Sequence, residues 1–426
     1  MRPWVIFLIW FCAPLRLFSQ TQAPSVAPAD PKGVARLTAL VQQAMERNPE
    51  IQAARRAVRA KRARVPQAGA WPDPKLSVSY GGNVLPPFTV MPGDPSSARQ
   101  VMAEQEIPYP GKTRLRTEIA SRDAEAEALA YEVVWRRIAA EVKQAYFDLW
   151  FTDRSVSTLR KDRALLEKFE KIAEIRYSVG KAAQQDVLKA QVELTRLLER
   201  QTLLEQARQT FQAQLNSLRN LPVDAPIDTP EELEISNLGS TLDELQAAAQ
   251  ANYPALKQQQ TLVAENRFAV DLAKREVRPD FSVGYTYMQR DRLPDMYGIT
   301  LSTSLPIFRH RKQAMGIAEA AANLESSRQR EANELTMLRY RVKQEFLEVQ
   351  AAEQLLKLYS KGIVPQSSLA LESSISSYET GAVDFLNVLG NFTTLLDYEL
   401  SAKQHTANHE KALARLEELT ALNLIQ

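Results

Sequence analysis

Residues Arg176–Gln191 read RYSVGKAAQQDVLKAQ, and Ser377–Phe392 read SYETGAVDFLNVLGNF. Tyr378, Gly381 and Val388-Leu389 stand 201 residues after Tyr177, Gly180 and Val187-Leu188. Both stretches lie between long helix-forming runs. Glycine tolerates positive φ, so it ends a helix and lets the chain reverse within a few residues. The two motifs therefore predict two helical hairpins at equivalent points of a duplicated chain.

The register extends well beyond the motifs. Pro49 and Pro254 are 205 apart, as are Pro74 and Pro279, Val78 and Val283, and Tyr80 and Tyr285. Val142 and Val342 open two copies of VKQ at an offset of 200, flanked by Trp135, Ile138, Tyr146 and Leu149 and then Leu335, Leu338, Phe346 and Val349. A near-constant offset across strand, helix and turn signals marks a tandem duplication of about 200 residues.

Each unit carries the same order of signals. KLSVSYGG and QVMAEQEIP in the first unit, and DFSVGYTYM and YGITLSTSLP in the second, alternate apolar and polar residues with the period of a strand. Each pair predicts an antiparallel hairpin with one apolar face. Met288 and Met296 bracket the second turn and read as surface or wall. After the first hairpin no Gly or Pro occurs among the 68 residues between Gly111 and Gly180. As one helix that run would reach ~100 Å. The second unit repeats it from about Arg309 to Tyr378, with an expected interruption at KGIVP (Gly362, Pro365). The predicted organisation is a signal peptide at 1–19, an extension at 20–34 and a first repeat at 35–219, with its hairpin at about 75–107 and its turn at 180. A linker or equatorial segment follows at 220–240. The second repeat is 241–422, with its hairpin at about 280–306 and its turn at 381.

Composition supports export and long helices. Arg2, the apolar Pro3–Leu15 run and a plausible cut near Ser19 form a secretory signal pattern. Phe11 stands before Cys12 where a lipoprotein signal needs a small residue, so the single cysteine is expected to leave with the signal. No later run reaches the ~18 apolar residues of a transmembrane helix. The formal charge of +2 argues neither for nor against nucleic acid; no basic aromatic patch is present, so no nucleic-acid partner is expected. No phosphate loop, nucleophile motif or metal-protease motif is present, so neither an enzyme nor a cofactor is expected.

Four strands cannot close a barrel or bury a face. If three copies pool their hairpins, twelve strands close a membrane barrel, and the long helices form a tube beneath it. The expected class is mainly α with a small β part.

The chain resembles the TolC-like outer-membrane efflux channels over almost its whole mature length. The likeness rests on the duplication, on NPEIQAARRAVRAKRARVPQAGAWPDPKLSVSYG, on QEIPYPGKTRLR and on the two Tyr-x-x-Gly turns. KGIVPQSSLALESSISSYETG looks most like the heavy-metal or cation branch. The resemblance implies a homotrimer in the outer membrane, embedded in its lipid and extending through the periplasm. It further implies a periplasmic adaptor and an inner-membrane efflux pump as partners. It places Tyr177, Gly180, Tyr378 and Gly381 at the periplasmic tips, as adaptor-contact candidates or as helix caps only. Asp186 aligns with the family's aperture acid. Three copies would make a cation-favouring ring, although a helix-start acid is favoured by the dipole in any case. Asn387 replaces the second acid, and Asp384 stands one turn away as a possible substitute.

His405 and His409 share a face of the last helix and are a weak metal candidate; a solvated face is the expectation. Two other functions are consistent with the residues. One is the outer-membrane channel of a type I protein secretion system. The other is a periplasmic coiled-coil adaptor or scaffold, which has no need of apolar strand faces.

Overall fold

The computed structural model describes residues 37–82 and 90–425. The expected signal peptide and N-terminal extension lie outside the described residues, as do Pro86 and Pro87 of the first hairpin loop. The first unit runs α1 (Leu37–Arg47), α2 (Pro49–Gly69), β1 (Lys75–Gly81), β2 (Ala98–Ile107), α3 (Lys112–Ser178), α4 (Gln184–Leu218). The second runs α5 (Leu242–Asn252), α6 (Pro254–Arg275), β3 (Phe281–Gln289), β4 (Met296–Thr303), α7 (Gln313–Leu358), α8 (Val364–Thr380), α9 (Phe385–Thr420). The two element orders coincide, with α7 and α8 together answering α3.

Local chemistry explains the boundaries. Asn48 caps α2, its Oδ1 accepting from the N–H of Glu50 (2.9 Å) and Ile51 (3.3 Å). Pro49 and Pro254 each open a helix, where a missing N–H costs nothing. Thr241 and Glu244 form a capping box on α5. Uninterrupted by Gly or Pro, α3 runs for 67 residues, about 100 Å of helix.

The expected interruption at KGIVP takes the form of a π turn and not of a break: Tyr359–Ile363 join α7 to α8 in helical geometry. The Val364 N–H reaches back to Tyr359 O, five residues away. The wider turn brings Pro365 into the first turn of α8, where its ring does not break a hydrogen-bond ladder.

Strands β1, β2, β3 and β4 form one antiparallel sheet in that order. The central pairing, β2 with β3, joins the two units, matching Ile107 with Phe281 and Val101 with Tyr287. Helix α3 packs on α2, α4, α6 and α9, while α7 packs on α5, α6 and α9.

Three apolar clusters run through the helical part, centred on Val142 and Leu149, on Phe169 and Phe392, and on Val342 and Leu416. Ile138, Val142, Tyr146 and Leu149 are buried as the seam predicts, but Trp135 is 38% exposed and stands outside it. The 220–240 segment is sewn to the helices. Asn216 Nδ2 donates to Val223 O and Ala225 O, Thr229 Oγ1 to Asp153 (2.6 Å), and Ser236 N–H and Oγ–H to Glu410.

Candidate functional site: the helical tips and the exposed sheet

Both tips close in the same way. Gly180 (φ 70) and Gly381 (φ 82) occupy the left-handed region. Lys181 N–H donates to Arg176 O (2.8 Å) and Gly180 N–H to Tyr177 O (2.9 Å). Ala382 N–H donates to Ser377 O (2.8 Å) and Gly381 N–H to Tyr378 O (3.0 Å). This is the Schellman arrangement, which satisfies the last carbonyls of a helix and needs positive φ at the glycine.

The equivalent side chains nevertheless do different work. Tyr177 is 47% exposed, whereas Tyr378 is buried and packs on Phe385 with ring centroids 5.7 Å apart. Arg176, from the last turn of α3, lies over the Tyr378 ring at 4.4 Å. Its Nη1 also donates to Tyr378 O. One arginine thus ties the end of α3 to the end of α8. Burial raises the Tyr378 pKa; the Arg176 charge opposes that rise and the Asp186 charge adds to it. Arg176 did not stand out in the sequence, but a signal was present: its repeat counterpart is Ser377, so only one tip can form the tie.

The acids are also unequal. Asp384 caps α9, accepting from Asn387 N–H (3.0 Å) and Asn387 Nδ2 (2.7 Å). It stands exposed as the N-cap of α9. Its counterpart Ala183 gives α4 no side-chain cap. Asp186 sits half-buried in the first turn of α4, and its carboxylate makes no hydrogen bond or ion pair among the described residues.

The histidines correct the expectation of a solvated face. His409 is wholly buried, its Nδ1 3.0 Å from Glu410 Oε1 and its Nε2 3.6 Å from Glu353. His405 lies against the Tyr359 ring at 5.1 Å, and burial lowers its pKa. Around His409, α9 packs against α7 through Glu353 and is joined to the 220–240 segment through Glu410, which a single-helix pattern does not reveal. Among the described residues no group of three or more His, Cys, Asp or Glu can hold a metal ion.

The sheet presents two chemically opposite faces. In register, Val78, Val101, Tyr287 and Tyr297 share one face with Ala103, Tyr285 and Ile299 and with Val283 and Leu301. The other face carries Ser77, Ser79, Gln100, Glu104, Thr286 and Thr300, together with the directly opposed Met288 and Met296. Residues of the apolar face are strongly exposed: Val78 by 77%, Ile299 by 82% and Leu301 by 73%. A contiguous exposed apolar face marks a membrane or protein partner. Tyr285, Tyr287 and Tyr297 cluster there, with ring centroids 5.4–6.3 Å apart. Strands β1 and β4 each keep one edge unpaired among the described residues. No described helix is long and apolar enough to cross a membrane.

Residues 40–221 match the family described as Outer membrane efflux protein. None of the curated proteins matches the chain in sequence. Among solved structures, the outer-membrane channel OprN is 15% identical with a TM-score of 0.79, over 96% of this chain and 99% of that one. The channel-forming CusC is 14% identical with a TM-score of 0.76, over 90% and 91%. The outer membrane protein VceC from Vibrio cholerae is 16% identical with a TM-score of 0.78, over 91% and 96%. The chain has the fold of these outer-membrane channels, and its residues 40–221 match the outer membrane efflux protein family.

Proposed function

We propose that this protein is the outer-membrane exit channel of a tripartite efflux system, a passive conduit that extends into the periplasm. The observation that carries the reading is the four-stranded sheet, apolar and exposed on one face, polar on the other, and continuous with helices of about 100 Å. Such a sheet is stable in neither water nor lipid alone, because its edges remain open. Three copies joined edge to edge give twelve strands, an apolar outer wall, a polar lumen and a helical tube below it. The tyrosine cluster suits the aromatic girdle of such a wall.

In this reading the two helical tips form the periplasmic aperture and meet a periplasmic adaptor, which couples the channel to an inner-membrane pump. The Arg176–Tyr378 tie holds the two hairpins of one protomer together there. Asp186 supplies a three-carboxylate ring that favours cations, and Asn387 leaves the second hairpin without one. The ring and the 361–381 stretch support the heavy-metal or cation branch.

The test is single-channel recording of detergent-purified mature protein in a planar bilayer. Stable conductance by a trimer is expected. A water-soluble, non-conducting monomer refutes the proposal.

A further inference from the structure

Helices α3 and α7 are equivalent in the duplication, but one face that is covered on α3 is bare on α7. Ile138, Val142 and Leu149 are buried, and so are their counterparts Leu338, Val342 and Val349, 200 residues further on. On the opposite flank the two helices part. Ala140, Phe147 and Thr158 are buried on α3, whereas Tyr340, Leu347 and Leu358 on α7 are 50–61% exposed. Spacings of 7 and 11 residues put these three on one face, within about 20° of each other.

The cover on α3 is α9. Phe147 shares an apolar cluster with Ala407, and Phe169 meets Phe392 with ring centroids 6.2 Å apart. Two ion pairs bridge the same helices, Lys143 with Glu417 and Asp148 with Lys411 (2.7 Å). The counterpart of α9 is α4, at an offset of 201 that holds at both ends: Gly180 and Gly381 before the helices, and Asn220 and Ala421 after them, all take positive φ. The α4 of the same copy packs on α3, which leaves the α7 stripe bare. Helix α4 carries a face to match. Gln191, Thr195, Leu198, Thr202, Gln206 and Gln209 are exposed and recur at steps of three and four. None is charged, although Arg196, Glu199 and Arg200 lie between them.

We propose that the bare face of α7 docks on the uncharged face of α4 of a second copy, and that this seam, not the ion-paired α3–α9 seam inside a copy, is the one that slides when the helical tube opens. The inference rests on the channel reading. Carried across by the two offsets, the internal ion pairs set Glu348 opposite Thr210 and Lys343 opposite Asn216 of the next copy. Neither couple can pair charge with charge. Glu348 is already held by Arg415 (2.6 Å), and Asn216 donates to Val223 O and Ala225 O. Sliding at α3–α9 would strand part-buried charges without partners, which is costly. A seam of Thr, Gln and Leu against apolar side chains strands none. Each copy then moves as one body, as the Arg176–Tyr378 tie between its own α3 and α8 also requires.

The test is single-channel recording of the detergent-purified assembly in a planar bilayer, before and after treatment with a short bifunctional thiol reagent. Glu348→Cys with Thr210→Cys should link copies to one another on a denaturing gel and abolish opening. Either substitution alone should do neither. Asp148→Cys with Lys411→Cys should link only within a copy and leave opening as it was. Absence of inter-copy products from a conducting channel overturns the docking. Opening that survives the inter-copy link overturns the sliding, as does loss of opening on linking within a copy. Should the internal pair fail to assemble, Lys143→Cys with Glu417→Cys replaces it, and if neither assembles the inter-copy link alone decides. Any of these failures in a conducting channel overturns this inference alone, whereas a non-conducting, water-soluble monomer of the native protein overturns the channel reading itself.

Discussion

Replacing Arg176 with methionine should loosen one helical tip selectively. The guanidinium lies 4.4 Å above the Tyr378 ring, a partly buried cation–π contact worth about 1–2 kcal/mol. Its hydrogen bond to Tyr378 O is charge-assisted and contributes about 1.5–3 kcal/mol. Against these, Arg176 Nε is buried without an acceptor, and the long side chain loses rotamer freedom. A net loss of about 2 kcal/mol remains, or roughly 30-fold in the equilibrium between tied and untied tips. Methionine keeps much of the aliphatic packing, so the loss reports the charge. Hydrogen exchange should accelerate at the amides of 177–186 and 378–387, with the sheet unchanged. In planar bilayers the resting open probability should rise. Tyr378→Leu removes the ring but keeps the carbonyl, so it should produce a smaller effect, about fivefold. Unchanged exchange at both tips in Arg176→Met would refute the tie. An effect spread evenly over the molecule would show that the arginine serves general stability instead.

Four further outcomes follow from the same geometry. Asp162 is buried on α3, and desolvation, then the Glu399 charge, raises its pKa to about 6 from 3.8. The favourable protonated contribution is therefore complete below about pH 4 and is lost as pH rises through 6. Asp162→Asn should accordingly raise the melting temperature above pH 6, by up to ~3 kcal/mol of stability, and leave it unchanged below pH 4. Glu410→Ala removes the carboxylate that accepts from the Ser236 N–H and hydroxyl; it should cost about 1–3 kcal/mol and speed proteolysis within 222–240, and normal protease resistance would refute the anchoring role. Ile299→Lys, at the centre of the exposed face, should destabilise the membrane-inserted protein by about 2–4 kcal/mol, whereas a face in water would tolerate it. Asp186→Asn should lower cation selectivity and block by polyvalent cations, and unchanged selectivity would remove Asp186 from the constriction.

Much of this molecule is legible from neighbours along the chain. Alternation of period two set the four strands and identified their apolar face, because side chains on a strand point to opposite sides whatever lies beyond. The run without Gly or Pro after Gly111 dictated one very long helix. Gly180 and Gly381 marked the reversals, because a left-handed cap is a backbone requirement that glycine meets locally. The duplication was visible as a register and implied the matching element orders. Tertiary structure alone decided which of two equivalent residues acts. Tyr378 is buried beneath Arg176 while Tyr177 is exposed, and that difference depends on a helix about 200 residues away. His409 lies buried because α7 and the 220–240 segment cover it, and nothing on its own helix announces that cover. KGIVP has the residues of a break, yet the chain remains helical through a single π turn. Backbone preferences act over a few residues and are written beside one another, whereas burial and pairing depend on partners that only the folded chain brings together.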